Sequence, residues 1–141
     1  MFDFDTFITP YKDILIWTGY SRYLFYKNII PKLVAKNSPL IIVETGTMYT
    51  PFDHTCMGAF THIMANLIKN YTGGRVFTID ISLDHLEKCK KYTSEFSNVI
   101  QCMHGDSVSI LSERTDSEIS MVDLFYFDSY DIDCLNPDPA Q

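Results

Sequence analysis

The chain has 141 residues and a mass of 16.3 kDa, the size of one domain with a single core rather than two domains and a linker. Its 46% hydrophobic and 21% charged residues match ordinary globular proteins, so disorder, collagen-like repeats and coiled coil are excluded as descriptions. A formal charge of -7, from 11 Lys and Arg against 18 Asp and Glu, counts against a phosphate backbone or an anionic membrane surface as partner, and neither nucleic acid nor membrane is expected.

Residues 1–10 carry Asp3 and Asp5 and no basic stretch, so they lack the form of a secretory signal. The spacing of Tyr20, Tyr23, Leu24 and Val34 predicts a helix over 18–36, kinked or divided by Pro31 and stopped at Asn37-Ser38-Pro39. The aromatic residues Trp17, Tyr20, Tyr23, Phe25 and Tyr26 are expected to pack on a core rather than to form a lid. Four short runs rich in β-branched and aromatic residues follow, at 40–43, 75–79, 98–103 and 122–127. They suit strands covered on both faces.

Helical patterns separate these runs. Phe60, Ile63, Met64, Leu67, Ile68 and Tyr71 recur at three- and four-residue steps over 55–71, with Gly73-Gly74 as the stop. Ser82 is the expected N-cap of a helix whose stripe is Leu86, Cys89, Thr93 and Phe96. A shorter helix from Ser107 is expected to bury Val108 and Leu111, and His62 and His85 read as helix-surface residues. No apolar run approaches the ~20 residues of a membrane span. Cys56, Cys89, Cys102 and Cys134 include no Cys-x-x-Cys pair, which fits reduced thiols and a cytoplasmic location.

Strict alternation of strand and helix predicts an α/β fold: a Rossmann-like, doubly wound, mostly parallel sheet of order 3-2-1-4 that ends after about four strands. Residues 1–38 form its N-terminal helical segment and 39–141 its core. Ligands of such sheets bind beyond the carboxyl ends of the strands, where strand order reverses. Each predicted strand runs into an acid, namely Glu44, Asp80, Asp106 and Asp128, and parallel strands bring these to one rim. Gly46 lets a ligand approach the backbone there. Carboxylates accept both hydroxyls of a diol and attract a cation, so the acidic rim suits a ligand carrying ribose and positive charge. Asp128 and Asp131 are hard oxygen donors suited to magnesium. His54 and His104 lie near the expected crevice and are read as loop histidines rather than general bases.

Taken in order, Val43-Glu44-Thr45-Gly46-Thr47, Phe77-Thr78-Ile79-Asp80-Ile81, Gly105-Asp106-Ser107 and Leu124-Phe125-Tyr126-Phe127-Asp128-Ser129-Tyr130-Asp131 resemble the cofactor-binding half of a class I S-adenosylmethionine-dependent methyltransferase, in its metal-dependent O-methyltransferase branch. By that resemblance Glu44, Gly46 and Thr47 line the methionine side of the cofactor, Asp80 and Ile81 hold the ribose end, and Asp106 with Ser107 meets the adenine. Asp128 becomes the catalytic acid or, with Asp131, a metal ligand. The implied reaction is methyl transfer to a small hydroxyl compound such as a sugar. The alternatives are a non-catalytic nucleoside-binding or assembly module, and a dinucleotide-dependent dehydrogenase, against which the absence of a compact three-glycine fingerprint counts. An apolar fourth strand at an open edge predicts a homodimer through residues 124–127.

Overall fold

The chain enters its first helix at Asp3, whose carboxylate accepts the Thr6 N–H at 3.2 Å and satisfies one of the donors a first turn leaves unpaired. In the computed structural model, which describes residues 1–52, 59–113 and 121–127, this helix, α1 (Phe4–Thr18), stops at Gly19 with φ 142°. A second, α2 (Tyr20–Ala35), starts at once. Phe7, Ile8, Tyr11 and Leu15 recur at helical spacing and are all buried, so α1 belongs to the core. Of the two expected effects of Pro31, division is not seen, since α2 runs on through it, and the break between the two helices is at Gly19. A proline inside a helix costs ~3 kcal/mol, and here burial of the neighbouring Ile30 and Leu33 side chains, each worth ~1.5–3 kcal/mol, offsets it. Of the five N-terminal aromatics, Tyr23 and Tyr26 are buried and Phe25 is half-buried, whereas Trp17 and Tyr20 are exposed, Tyr20 with its ring stacked on Tyr23.

Four strands follow: β1 (Leu40–Thr45), β2 (Gly74–Asp80), β3 (Ile100–His104) and β4 (Leu124–Phe127). All pairings are parallel and the order is β3-β2-β1-β4, as expected for a Rossmann-like α/β sheet. The register places Glu44 between Thr78 and Tyr126, and Thr78 beside Cys102. Leu40, Ile42 and Val76 join the helices in the main core, while Val43, Phe77 and Ile79 form a second apolar layer on the other face. Lys36 at the end of α2 pairs with Asp123, which also accepts the Ile41 N–H at 2.8 Å, so one carboxylate ties α2, β1 and the start of β4 together.

Between the strands, α3 (Phe60–Leu67) continues through a π-helical turn (Ile68–Thr72) to Gly73. The predicted helix start at 55 lies outside the described residues. Gly74 is the first residue of β2 rather than part of a stop, and it approaches β1 so closely that a Cβ there would meet the Leu40 carbonyl oxygen at 1.9 Å. Ser82 caps α4 (Leu83–Tyr92) by accepting the His85 N–H at 3.2 Å. The stripe Leu86, Cys89, Thr93 and Phe96 is buried as the spacing predicts. Helix α5 (Ser107–Glu113) departs from expectation at Val108, which is 64% exposed; this short helix presents Ile110 and Leu111 to the second apolar layer instead. Among the described residues no helix is long and apolar enough to cross a membrane.

Candidate functional site at the carboxyl edge of the sheet

Two loops converge on the end of β2. The Gly46 N–H donates to the Ile79 carbonyl at 2.8 Å, and the Gly105 N–H donates to the Asp80 carbonyl at 3.0 Å, so the turns after β1 and β3 both close on the last two residues of β2. Gly46 has φ 83°, a left-handed conformation that favours glycine and turns the chain sharply off the strand. That turn aims the Thr47 N–H at Asp80 Oδ2, 3.0 Å away. The other carboxylate oxygen, Oδ1, accepts the Ser82 N–H at 2.8 Å. His85 Nδ1 lies 3.6 Å from Oδ2. A carboxylate has about four acceptor positions, so both oxygens keep a lone pair after these backbone bonds, and the side chain is 10% exposed.

The Thr47 hydroxyl is buried and has no hydrogen-bond partner among the described residues. Tyr49, two residues on, lies face to face on the His85 ring, with centroids 4.0 Å apart and planes 7° from parallel. His85 thus stands beside Asp80, with Tyr49 stacked on its ring. His85 was expected to lie on a helix surface, but it sits at this rim because it occupies the first turn of the helix that follows Asp80. Its position three residues after the Ser82 cap carried that information; nothing in the sequence marked Tyr49.

Glu44 has a different environment. Its carboxylate is buried, accepting the Thr78 hydroxyl at 2.8 Å and the Thr61 hydroxyl. Thr61 Oγ1 in turn lies 3.3 Å from the Met48 N–H that it accepts. These bonds lock the loop after β1 to α3 and β2. Asp106 accepts both the backbone N–H and the hydroxyl of Ser109, each at 3.0 Å, as the N-cap of α5, with Ser107 directly after it. Ile81 is exposed at the rim beyond Asp80, and His104 meets the Ile81 carbonyl at 3.0 Å. The structure therefore gathers Gly46, Thr47 and Asp80 in one hydrogen-bonded unit, sets Ile81, Asp106 and Ser107 on the same edge, and keeps Glu44 beneath it. Asp128, Asp131 and His54 lie outside the described residues.

The strand order reverses between β1 and β4. Here the start of α2 stands over the sheet, and Ser21, Arg22, Phe25, Tyr26 and Tyr126 line a cavity of about 120 Å³. Tyr126 stacks on Phe60 at 4.1 Å and tilts against Phe25 at 5.9 Å, which fixes the cavity wall. The N-terminal helices were not expected to supply it.

His62 corrects a second expectation. It is not a surface residue: Tyr11 Oη lies 2.9 Å from Nδ1, Glu95 Oε1 lies 3.1 Å from Nε2, and Phe52 and Phe96 pack against the ring. Burial holds its protonation below the ordinary histidine range, and Glu95 opposes that shift. Burial likewise pushes the Tyr11 hydroxyl up, so it stays neutral.

No protein-family model and no curated protein matches the chain. What bears on function is therefore the geometry of the rim. Among the described residues no group of three or more His, Cys, Asp or Glu side chains is arranged to hold a metal ion.

Proposed function

We propose that this chain binds S-adenosylmethionine across the carboxyl edge of its sheet and is the cofactor-binding part of a methyltransferase acting on a small hydroxyl compound such as a sugar. The observation that carries this reading is the Asp80 carboxylate: held from below by the Thr47 and Ser82 N–H groups, it keeps acceptor capacity on both oxygens beside a left-handed glycine turn. Those features fit a ribose diol, whose two hydroxyls donate to one carboxylate. The exposed Ile81 and Asp106, the N-cap of α5, with Ser107 are the residues proposed to meet the adenine. Gly46 leaves room for the methionine end above the buried Glu44.

The cofactor, when bound, supplies the sulfonium methyl for transfer to an acceptor hydroxyl. The chain's own contribution is positioning. Asp80 orients the ribose, the Gly46 turn brings backbone close to the ligand, and the aromatic cavity at the β1–β4 switch excludes water next to it. Proximity of this kind supplies up to ~7–11 kcal/mol of a barrier when alignment is good. Asp128 and Asp131, which lie outside the described residues, are the residues proposed to hold magnesium, which would lower the acceptor hydroxyl pKa.

Isothermal titration of the chain with S-adenosylmethionine, S-adenosylhomocysteine and NAD, each with and without magnesium, tests the reading. Binding of the two sulfur nucleosides in preference to NAD is expected, and tight NAD binding alone would overturn it. Cofactor binding without turnover over a panel of hydroxyl acceptors would favour the non-catalytic module.

A further inference from the structure

The cavity at the β1–β4 switch is aromatic except at one end of α2. Phe25, Tyr26 and Tyr126 form its walls, and Ser21 and Arg22, in the first turn of α2, complete it. Tyr126 is the penultimate residue of β4 and pairs with Glu44, two residues before the Gly46 turn. The cavity therefore lies near the carboxyl edge of the sheet, within reach of a ligand held at that turn. Neighbouring rings fix its walls: Tyr126 lies on Phe60 with planes 9° apart, and Phe25 meets Tyr26 edge-on at 5.1 Å. Arg22 is half-buried, and among the described residues it forms no salt bridge. The chain has 18 Asp and Glu, yet none of those described lines this cavity.

We propose, resting on the reading that this chain binds S-adenosylmethionine, that the methyl acceptor is a small hydroxy acid of the sugar-acid class. Its carboxylate pairs with the Arg22 guanidinium, its carbon skeleton lies against the Phe25 and Tyr126 rings, and its hydroxyl is directed to the carboxyl edge of the sheet. A guanidinium drawn partly out of water favours an anionic partner, and the two oxygens of a carboxylate match its planar fork. The rings supply the apolar surface that small-molecule sites use for contact, while the single cation sets orientation.

Size and charge both select the carboxylate. A volume of about 120 Å³ with one cation in its lining suits a singly charged group on a short carbon chain. A phosphate ester carries close to two charges at neutral pH and calls for a second cation, and no other lines this cavity among the described residues. A neutral sugar leaves the guanidinium without its partner, and a site built around such a bond discriminates against the ligand that lacks it. In transfer, the acceptor oxygen forms the new bond to the methyl carbon as the carbon–sulfur bond breaks. The electron pair of that bond stays on sulfur, and the hydroxyl proton passes to water.

Isothermal titration of the full chain tests this, with glycerate and glucuronate each set beside its neutral amide, and with glycerol 3-phosphate as the phosphate arm. Each ligand is titrated first without nucleoside and then with saturating S-adenosylhomocysteine. At least one acid is expected to bind the native chain tenfold or more tightly than its amide, and glycerol 3-phosphate no more tightly than glycerate. In Arg22→Gln that preference disappears while the amide is unaffected; Arg22→Lys, which keeps the charge and loses the fork, falls between. Acid and amide bound equally by the native chain, a comparison that needs no variant, would overturn the proposal. So would an undiminished preference in folded Arg22→Gln, or tenfold tighter binding of the phosphate ester. The two readings fail separately. A chain that prefers the acid through Arg22 but does not take up S-adenosylhomocysteine loses the acceptor role together with the cofactor, whereas one that takes up S-adenosylhomocysteine and never prefers the acid loses this inference alone.

Discussion

Asp80 and Glu44 are both carboxylates near the ends of neighbouring strands, yet their surroundings give them opposite uses. Glu44 is enclosed by the Thr61 and Thr78 hydroxyls and fixes the loop to the sheet. Asp80 is braced by two backbone N–H groups and still reaches the rim. Replacing Asp80 by Ala leaves those donors without an acceptor, a change of ~1–3 kcal/mol each when such groups are buried. Under the proposed function, Asp80→Ala lowers affinity for S-adenosylhomocysteine at least tenfold by titration, and Asp80→Asn, which keeps one acceptor oxygen, falls between it and the native chain. Unchanged affinity in both would remove Asp80 from the site.

His62 gives a separate prediction at the same scale. Its folded-state pKa lies below the unfolded value of about 6.5, so the unfolded chain binds the proton more readily. Its contribution is complete above that value and declines as pH falls toward the folded-state pKa. Between about pH 7.5 and pH 5.5 the urea midpoint is expected to fall further for the native chain than for His62→Gln. Parallel slopes for the two would show that His62 does not titrate in this way.

Among the elements, the four strands and α4 were legible because their signals are local. Each strand is a short apolar run bounded by polar turns, and α4 has a Ser cap followed by Leu86, Cys89, Thr93 and Phe96 on one stripe. Helix α1 was anticipated only within a helical segment over 1–38 and not delineated as an element of its own, although Phe7, Ile8, Tyr11 and Leu15 have helical spacing; its acidic start and Pro10 obscured the pattern. The continuity of α2 through Pro31 depends on tertiary burial, which no local propensity carries. The site divides in the same way. Gly46 and Asp80 stood out as a glycine and an acid just past strands, whereas the burial of Glu44, the Tyr49–His85 stack and the aromatic cavity arise from contacts between distant segments.

The same dependence on close contact makes Gly74 a sensitive point. With φ 113° and the Leu40 carbonyl at 1.9 Å from any Cβ, Gly74→Ala must move β1 from β2 or distort the turn. A loss of at least ~2 kcal/mol of unfolding free energy is expected in urea titration. A loss below about 0.5 kcal/mol, the range of an ordinary surface change, would mean that the two strands separate easily at this end.

For the molecule as a whole, parallel pairing is what turns scattered sequence positions into one rim. The same sheet leaves β4 as an outer strand among those described, with Phe125 and Phe127 at 43% and 70% exposure and their rings 5.6 Å apart and parallel. A second copy meeting this edge is our expectation for the assembly. Light scattering during size-exclusion chromatography should give twice the 16.3 kDa chain mass, shifting to the single mass in Phe127→Lys; a native monomer would refute it.

The junction of Gly46, Thr47 and Asp80 is where the proposed nucleoside would be held. A crystal structure of the chain with S-adenosylhomocysteine tests that directly. It should find the two ribose hydroxyls within hydrogen-bond distance of the Asp80 carboxylate oxygens; a nucleoside bound elsewhere, with Asp80 still engaged only by Thr47, Ser82 and His85, would contradict it.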